Sequence, residues 1–321
     1  MLKVTDLTFG YFDTPVLYRL NFSIEPGQNV SLVGESGSGK STLLECIYGL
    51  HHVSGTIHWK NRRLLGPRYN LVPGESMMKY LSQDFNLMPS ISARENIGKF
   101  LSNAFPRKKK KRIDQLLKLV DMEAHGDTRA GLLSGGQQQR IALARVLADP
   151  PEVLLLDEPF SHIDQFRRNS LRRKLYEFIR QEEITVITAT HDSTDALAFA
   201  ERTFVMKAGK ILAEGAPSEV YQHPKNAYVA ALFEEVNDLP ASLFLPGVGR
   251  KRILLYPHEI HLEEKGNVEA KVKRSFFKGP DFLLETQLKN EVVLVRSSTE
   301  IAAGKSVRLH VAPDLLNSRL K

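Results

Sequence analysis

Cysteine is nearly missing from this chain. Cys46 is the only one among 321 residues, so no internal disulfide framework can form, and a reducing compartment, the cytoplasm, is the expected setting. Long apolar runs are missing too. Nothing approaches the roughly 20 residues needed to cross a bilayer, and Lys3 and Asp6 stand too early for a secretory signal. Any membrane channel served by this chain is therefore expected to be another polypeptide. Internal repeats are absent, and the only dense charge run is Arg107 to Arg112, a solvated helix start in its plainest reading, with attraction to anionic lipid headgroups as the alternative. The net charge of +7 is concentrated late: residues 245–321 carry 14 Lys+Arg against 9 Asp+Glu, and the rest carries 30 against 28. No arginine- and aromatic-rich recognition motif accompanies it, so no nucleic-acid partner is expected. With 42% hydrophobic and 25% charged residues, the composition is that of a globular protein of about two domains.

Glycine, by contrast, is placed with purpose. Gly34, Glu35, Ser36, Gly37, Ser38, Gly39, Lys40, Ser41 and Thr42 follow the apolar strand Asn29 to Val33 and open a helix expected over Lys40 to Leu50. Such a loop leaves consecutive backbone N–H groups free to bind phosphate oxygens. Glycines permit backbone angles and approaches that a Cβ would block. Lys40 then reaches the β- and γ-phosphates and the Ser41 hydroxyl binds Mg²⁺. At average residue usage the pattern arises by chance in roughly one chain in a hundred.

A second apolar run, Val153 to Leu156, ends in Asp157 and Glu158. A short run bounded by prolines suits a parallel strand buried on both faces, which puts its terminal carboxylates at the crevice where open α/β sheets bind ligands. Neighbouring side chains on a strand point to opposite sides. Asp157 is accordingly assigned to the Mg²⁺ shell and Glu158 to an attacking water. Between these segments, Ser134 is a natural N-cap, Gly135 and Gly136 open the backbone, and Gln137 to Leu147 reads as a helix whose start offers free N–H groups to an anion.

Taken together, residues 1 to about 233 resemble the nucleotide-binding subunit of an ABC transporter. Gly34 to Thr42 matches Walker A, Gln83 the Q-loop, Leu133 to Gln137 the signature, Asp157-Glu158 Walker B, Ser161 to Asp164 the D-loop, and His191 the switch histidine. The resemblance implies ATP as substrate and Mg²⁺ as cofactor, and Gln83 as a contact to metal and water that also senses a membrane partner. It further implies His191 on the γ-phosphate, Tyr11 stacked on adenine, with Phe9 or Phe12 as alternatives, and Asp164 at the nucleotide interface. In that family Ser134, Gly135, Gly136 and Gln137 face the γ-phosphate held by a second copy, so the working unit is a homodimer.

Past Leu239 the pattern changes to short alternating strands expected at 252–256, 260–263, 267–276, 281–287, 291–296 and 306–311, which suggests a small β-barrel or sandwich. The segment Tyr256 to Ile260 resembles the opening of the TOBE domain of importer ATPases, although Tyr256 stands where that family often has Arg. The expected fold is thus an α/β P-loop NTPase cassette over 1–238, with an antiparallel β flank and a helical subdomain at about 84–150, followed by an all-β OB-like domain over 239–321. The resemblance implies a transport ATPase on the inner membrane face, working with transmembrane permease subunits and, indirectly, an extracytoplasmic solute-binding protein. Ferric iron or polyamine is weakly favoured as cargo over sugar or oxyanion. The alternative is a soluble ABC ATPase that switches a protein or ribonucleoprotein partner.

Overall fold

The computed structural model describes residues 1–320 except 13, 71, 246 and 265. It divides into two compact units, Met1–Pro217 and Ser218–Lys321.

The first unit is built on strands that bury both faces. In β3 (Asn29–Val33), β7 (Val153–Asp157) and β8 (Thr185–Thr190) every residue is buried, as runs without polar alternation require when helices or a second sheet cover both sides. With β6 (Met78–Leu81), β9 (Arg202–Lys207) and β10 (Lys210–Gly215) they form a six-stranded sheet ordered β10-β9-β3-β8-β7-β6. All pairs are parallel except β9 with β10. A four-stranded antiparallel sheet, β2-β1-β4-β5, is made from β1 (Leu2–Tyr11), β2 (Thr14–Ile24), β4 (Ser54–Trp59) and β5 (Arg62–Leu64).

Helix α1 (Lys40–Tyr48) lies in the core between these sheets. Its Leu43, Leu44 and Ile47 pack with Leu2, Val4 and Trp59 from one side and Val153, Leu155 and Ile187 from the other. Gly49, at φ 90, ends it two residues before the expected Leu50, because a left-handed C-cap turns the chain out of the helix. On the opposite face of the parallel sheet, Leu154, Leu156 and Val186 meet a helical layer. That layer comprises α2 (Ala93–Gly98), α3 (Pro106–Leu119), α4 (Gly135–Val146) and α5 (Gln165–Gln181). The alternation of Val153 and Leu155 against Leu154 and Leu156 between two cores is the period-2 geometry of a strand.

In the second unit, α6 (Pro217–Gln222), which starts at the boundary, and α7 (Ala227–Ala231) precede the pair β11 (Asn237–Pro240) and β12 (Arg252–Leu255). Then β13 (His261–Leu262), β14 (Val268–Phe277), β15 (Phe282–Leu288), β16 (Glu291–Ser297) and β17 (Ser306–His310) form an antiparallel sheet ordered β13-β17-β14-β15-β16, consistent with a small OB-like domain. The strands fall within a residue or two of the expected ranges. Helix α8 (Pro313–Arg319) was not expected from the strand pattern; Pro313 at its first turn and buried Leu316 are its local causes. Tyr256 is fully buried, stacks on Tyr221 at 4.5 Å and carries the Arg319 guanidinium 5.5 Å from its ring centre.

Candidate active site at the carboxyl ends of the parallel strands

Register brings the site together. Val33 pairs with Thr190 and Asp157 with Ala189, so the residues that follow β3, β7 and β8 emerge at one edge. From β3 the chain enters the loop 34–39. Gly37 and Gly39 hold φ of 80° and 100°, the left-handed region open chiefly to glycine. Gly34 is needed for space instead: a Cβ there would lie 2.4 Å from the Met206 carbonyl oxygen. Lys40 folds back under the loop, its Nζ donating to the carbonyls of Gly34 (2.7 Å) and Glu35 (3.0 Å) and lying 3.4 Å from Ser38 Oγ. Burial pushes the Lys40 ammonium pKa down, against the pull of Glu158, Asp157 and Glu35. In front of it opens a cleft of about 360 Å³ lined by Val16, Ser36, Gly37, Gly39, Lys40, Ser41, Thr42, Gln83 and Glu158.

Asp157 closes β7 with 3% exposure. Its Oδ1 is buried without a hydrogen-bond partner, and Tyr80 donates to Oδ2 at 3.4 Å. Burial pushes its carboxyl pKa up and the nearby Glu158 charge adds to that, while the Ser41, Gln83 and Tyr80 side chains pull it down. A buried, underused carboxylate oxygen beside a hydroxyl and an amide fits a hard cation of the Mg²⁺ kind, which takes few protein oxygens and completes its shell from phosphate and water.

Glu158 does not obey the strand alternation expected of it. It lies past the end of β7 at φ 50 and its N–H donates to Ala189 O at 2.9 Å. A left-handed turn, not the pleat, aims its side chain. Such a conformation costs a non-glycine residue about 1–2 kcal/mol, and strain of this kind concentrates at functional sites. His191 Nδ1 sits 2.8 Å from the Glu158 carboxylate. The histidine is 67% exposed and the carboxylate 15%; Glu158 lines the cleft, and His191, which does not, meets it from the solvent side.

Behind His191 lies an ion cluster that sequence reading missed. Arg172, on α5, binds Asp192 Oδ2 and Asp195 Oδ1 at 2.6 Å each, and Thr190 Oγ1 donates to Asp195 Oδ2 at 2.9 Å. Burial pushes the Asp195 carboxyl up to about 6, with Arg172 opposing. The cluster brackets His191 between Thr190 and Asp192 and fixes where it leaves the sheet. Arg172→Ala should therefore destabilise the chain by about 3 kcal/mol, because a buried carboxylate would lose its counter-charge. Urea unfolding with a midpoint unchanged from the parent would refute this role.

Ser134 caps α4 as expected, in a capping box: its Oγ accepts from Gln137 N at 3.3 Å and Gln137 Oε1 accepts from Ser134 N at 2.9 Å. The box uses those two donors and leaves the N–H groups of Gly135 and Gly136 at the helix start. Ser134 and Gly135 are exposed. Gly136 is demanded by packing, since a Cβ would stand 2.6 Å from His162 O. Gln139, unassigned from sequence and 1% exposed, joins this helix to the carboxylate loop. Its Nε2 donates to Glu158 O (2.9 Å) and its Oε1 accepts from His162 N (3.0 Å). A third glutamine after the two glycines was the available signal. For Arg172 and Asp195 there was none, because only folding brings α5 beside the end of β8.

Gln83 is exposed just beyond β6 and lines the cleft. Asp164 is exposed at the start of α5, and its side chain makes no cap. Tyr11 is not among the cleft-lining residues. Its hydroxyl reaches Glu45 Oε2 at 3.2 Å, its ring packs edge-on against Phe9, and Phe12 beside it is fully exposed.

The family model described as ABC transporter matches residues 17–161. A ferric-ion import ATP-binding protein of Haemophilus influenzae (strain 86-028NP) is 36% identical over 246 residues, covering 76% of this chain and 70% of its own. A spermidine/putrescine import ATP-binding protein of Pseudomonas fluorescens (strain Pf0-1) is 33% identical over 352 residues, covering 97% and 96%. The chain belongs to the ATP-binding subunits of ABC importers. Among solved structures, a dimeric post-hydrolysis state of the ATP-binding cassette MJ0796 bound to ADP and Pi superposes with a TM-score of 0.60. Its identity is 29%, over 68% of this chain and 99% of that one. As an ABC ATPase the chain binds and hydrolyses ATP. No helix among the described residues is long and apolar enough to cross a membrane.

Proposed function

We propose that this chain energises uptake of ferric iron or a polyamine by closing as a homodimer around two ATP molecules. The observation that carries the hydrolytic reading is the Glu158–His191 pair, 2.8 Å apart, whose carboxylate lines the Lys40 cleft. Phosphoryl transfer is catalysed mainly by positioning and electrostatics. The loop amides of Gly34 to Gly39 and the Lys40 ammonium neutralise the β- and γ-phosphates, with Glu35, Ser36, Ser38 and Thr42 shaping the same wall. Asp157, Ser41 and Gln83 would hold Mg²⁺, which supplies further charge neutralisation when bound. Glu158 takes a proton from the attacking water, and His191 orients the water and the γ-phosphate. Tyr11 is proposed to stack on the adenine.

The exposed Ser134-Gly135-Gly136-Gln137 turn supports closure by a second copy, whose Gly135 and Gly136 N–H groups would complete the γ-phosphate cage while Asp164 lines the seam. The cassette is assigned to 1–238, with its helical subdomain at about 84–150, and the TOBE-like domain to 239–321. Permease subunits would receive the motion through the Gln83 region at the inner membrane face, with an extracytoplasmic solute-binding protein delivering cargo. The cargo assignment is supported by the names of the two relatives.

The chain, tagged and expressed in its own cells, should co-purify with a polytopic membrane protein, and Lys40→Ala should abolish uptake of labelled ferric iron or spermidine. Sedimentation with ribosomes and uptake unaffected by Lys40→Ala would favour the soluble-switch alternative.

A further inference from the structure

Helix α3 carries a basic surface that contributes no residue to the Lys40 cleft. At 100° per residue, Arg107, Lys108, Lys110 and Lys111 fall on one arc of roughly 160°, whose centre faces away from the stripe of Ile113, Leu116 and Leu117 that packs into the core, with Lys110 at the stripe's edge. All four are exposed, and none forms an ion pair among the described residues. Their neighbours are used differently: Lys109 is tied to Leu101 O and Asn103 Oδ1, and Arg112 to Leu147 O and Glu182. The same patch exposes two large aromatics, Phe105 at 62% and Phe100 at 70%. Lys108 Nζ lies 5.3 Å from the Phe105 ring centre, and the Lys109 bonds hold the loop bearing Phe100 against this turn.

The arrangement opposes the helix's own electrostatics. Four cations occupy the end where the macrodipole is positive, and the first turn holds no acidic residue. Folding alone gains nothing from that choice. Cations on one face with aromatic side chains standing out beside them are complementary to an anionic lipid surface, which offers dense negative charge at the headgroups and an interfacial layer for rings.

We propose that Arg107, Lys108, Lys110, Lys111, Phe100 and Phe105 form a contact with anionic phospholipid headgroups that holds the helical layer against the membrane face. The proposal deepens the importer reading and rests on it for the nearby membrane, but the patch is read on the isolated chain, without permease or cargo. Uptake unaffected by Lys40→Ala, with vesicle binding intact, would count against the importer reading alone.

The full chain should co-sediment with vesicles of phosphatidylcholine containing roughly one-third phosphatidylglycerol and leave pure phosphatidylcholine vesicles in the supernatant. With each basic residue near such a surface worth roughly a factor of five, replacing all four cations by Gln should weaken binding by about 600-fold when all four lie at the surface and by about 25-fold when two do. About 0.5 M salt should do the same to the parent chain. ATP hydrolysis by the free chain should be unchanged in the quadruple variant. Its melting temperature should hold or rise, since charges repelled by the helix end are removed, which separates lost lipid contact from lost fold. A second variant, Phe100→Ser with Phe105→Ser, should weaken binding with the salt sensitivity retained. Equal binding to both vesicle types, or equal binding by the parent and the quadruple variant, would overturn the proposal. So would co-purifying nucleic acid that the quadruple variant loses while neither protein binds vesicles.

Discussion

Glu158→Gln is expected to slow ATP hydrolysis by about 10²–10⁴-fold, the usual worth of a positioned general base, while ATP still binds. The substitution preserves size and leaves an amide able to hydrogen-bond at the position where the carboxylate now meets His191 Nδ1 at 2.8 Å. Geometry is therefore kept and basicity alone is lost. Binding should survive because Lys40 is held by hydrogen bonds to Gly34, Glu35 and Ser38 rather than to this carboxylate. Removing a negative charge beside the phosphates should hold affinity or tighten it. Two measurements are needed together: steady-state phosphate release, and nucleotide affinity by direct titration. Hydrolysis at the parent rate would remove Glu158 from the base role. A matching collapse in affinity would show that its part is structural, in keeping the turn at φ 50. In sedimentation, the ATP-loaded variant should also accumulate as a dimer, because closure is no longer followed by cleavage.

What could be read before folding was the chemistry held in contiguous residues. The loop Gly34 to Thr42 and the cap at Ser134 are local stretches of backbone, and Asp157-Glu158 stands at the end of an apolar run, so the one-dimensional pattern carries their placement. Strands β3 and β7 were equally legible, because burial on both faces forbids polar alternation. The orientation of Glu158 was not, since its left-handed φ is imposed by the turn between β7 and the D-loop and leaves no mark in residue type. The clamp of Arg172 on Asp192 and Asp195 was invisible for another reason: its members stand 20 and 23 positions apart and meet only when α5 packs beside β8. Helix α8 was masked by the strand periodicity before it. Tyr11 was named from resemblance, and its observed partners Glu45 and Phe9 reflect the β1 and α1 packing around it.

Lys40→Ala should weaken ATP binding by about 10- to 150-fold, the equivalent of one charge-assisted hydrogen bond of roughly 1.5–3 kcal/mol, and hydrolysis should fall with it. The surroundings of this lysine already show why it is suited to phosphate. Its ammonium is buried on three uncharged oxygens, those of Gly34, Glu35 and Ser38, and burial holds its pKa below the ordinary value. None of these partners neutralises it, so a phosphate would be its first anionic hydrogen-bond partner. The same bonds have a structural share, because they tie the loop to the start of α1. Two substitutions separate the shares. Lys40→Met keeps the bulk and loses the charge, and should bind ATP as poorly as Lys40→Ala if charge is what matters. Lys40→Arg keeps the charge but brings a wider planar head into a space fitted to an ammonium, and should recover part of the affinity only if the loop can widen. Titration with ATP and with adenosine provides the control: adenosine lacks phosphate, so its weak binding should be the same in all four proteins. If instead adenosine binding falls in step with ATP binding, the defect lies in the loop's shape, and Lys40 is no phosphate ligand.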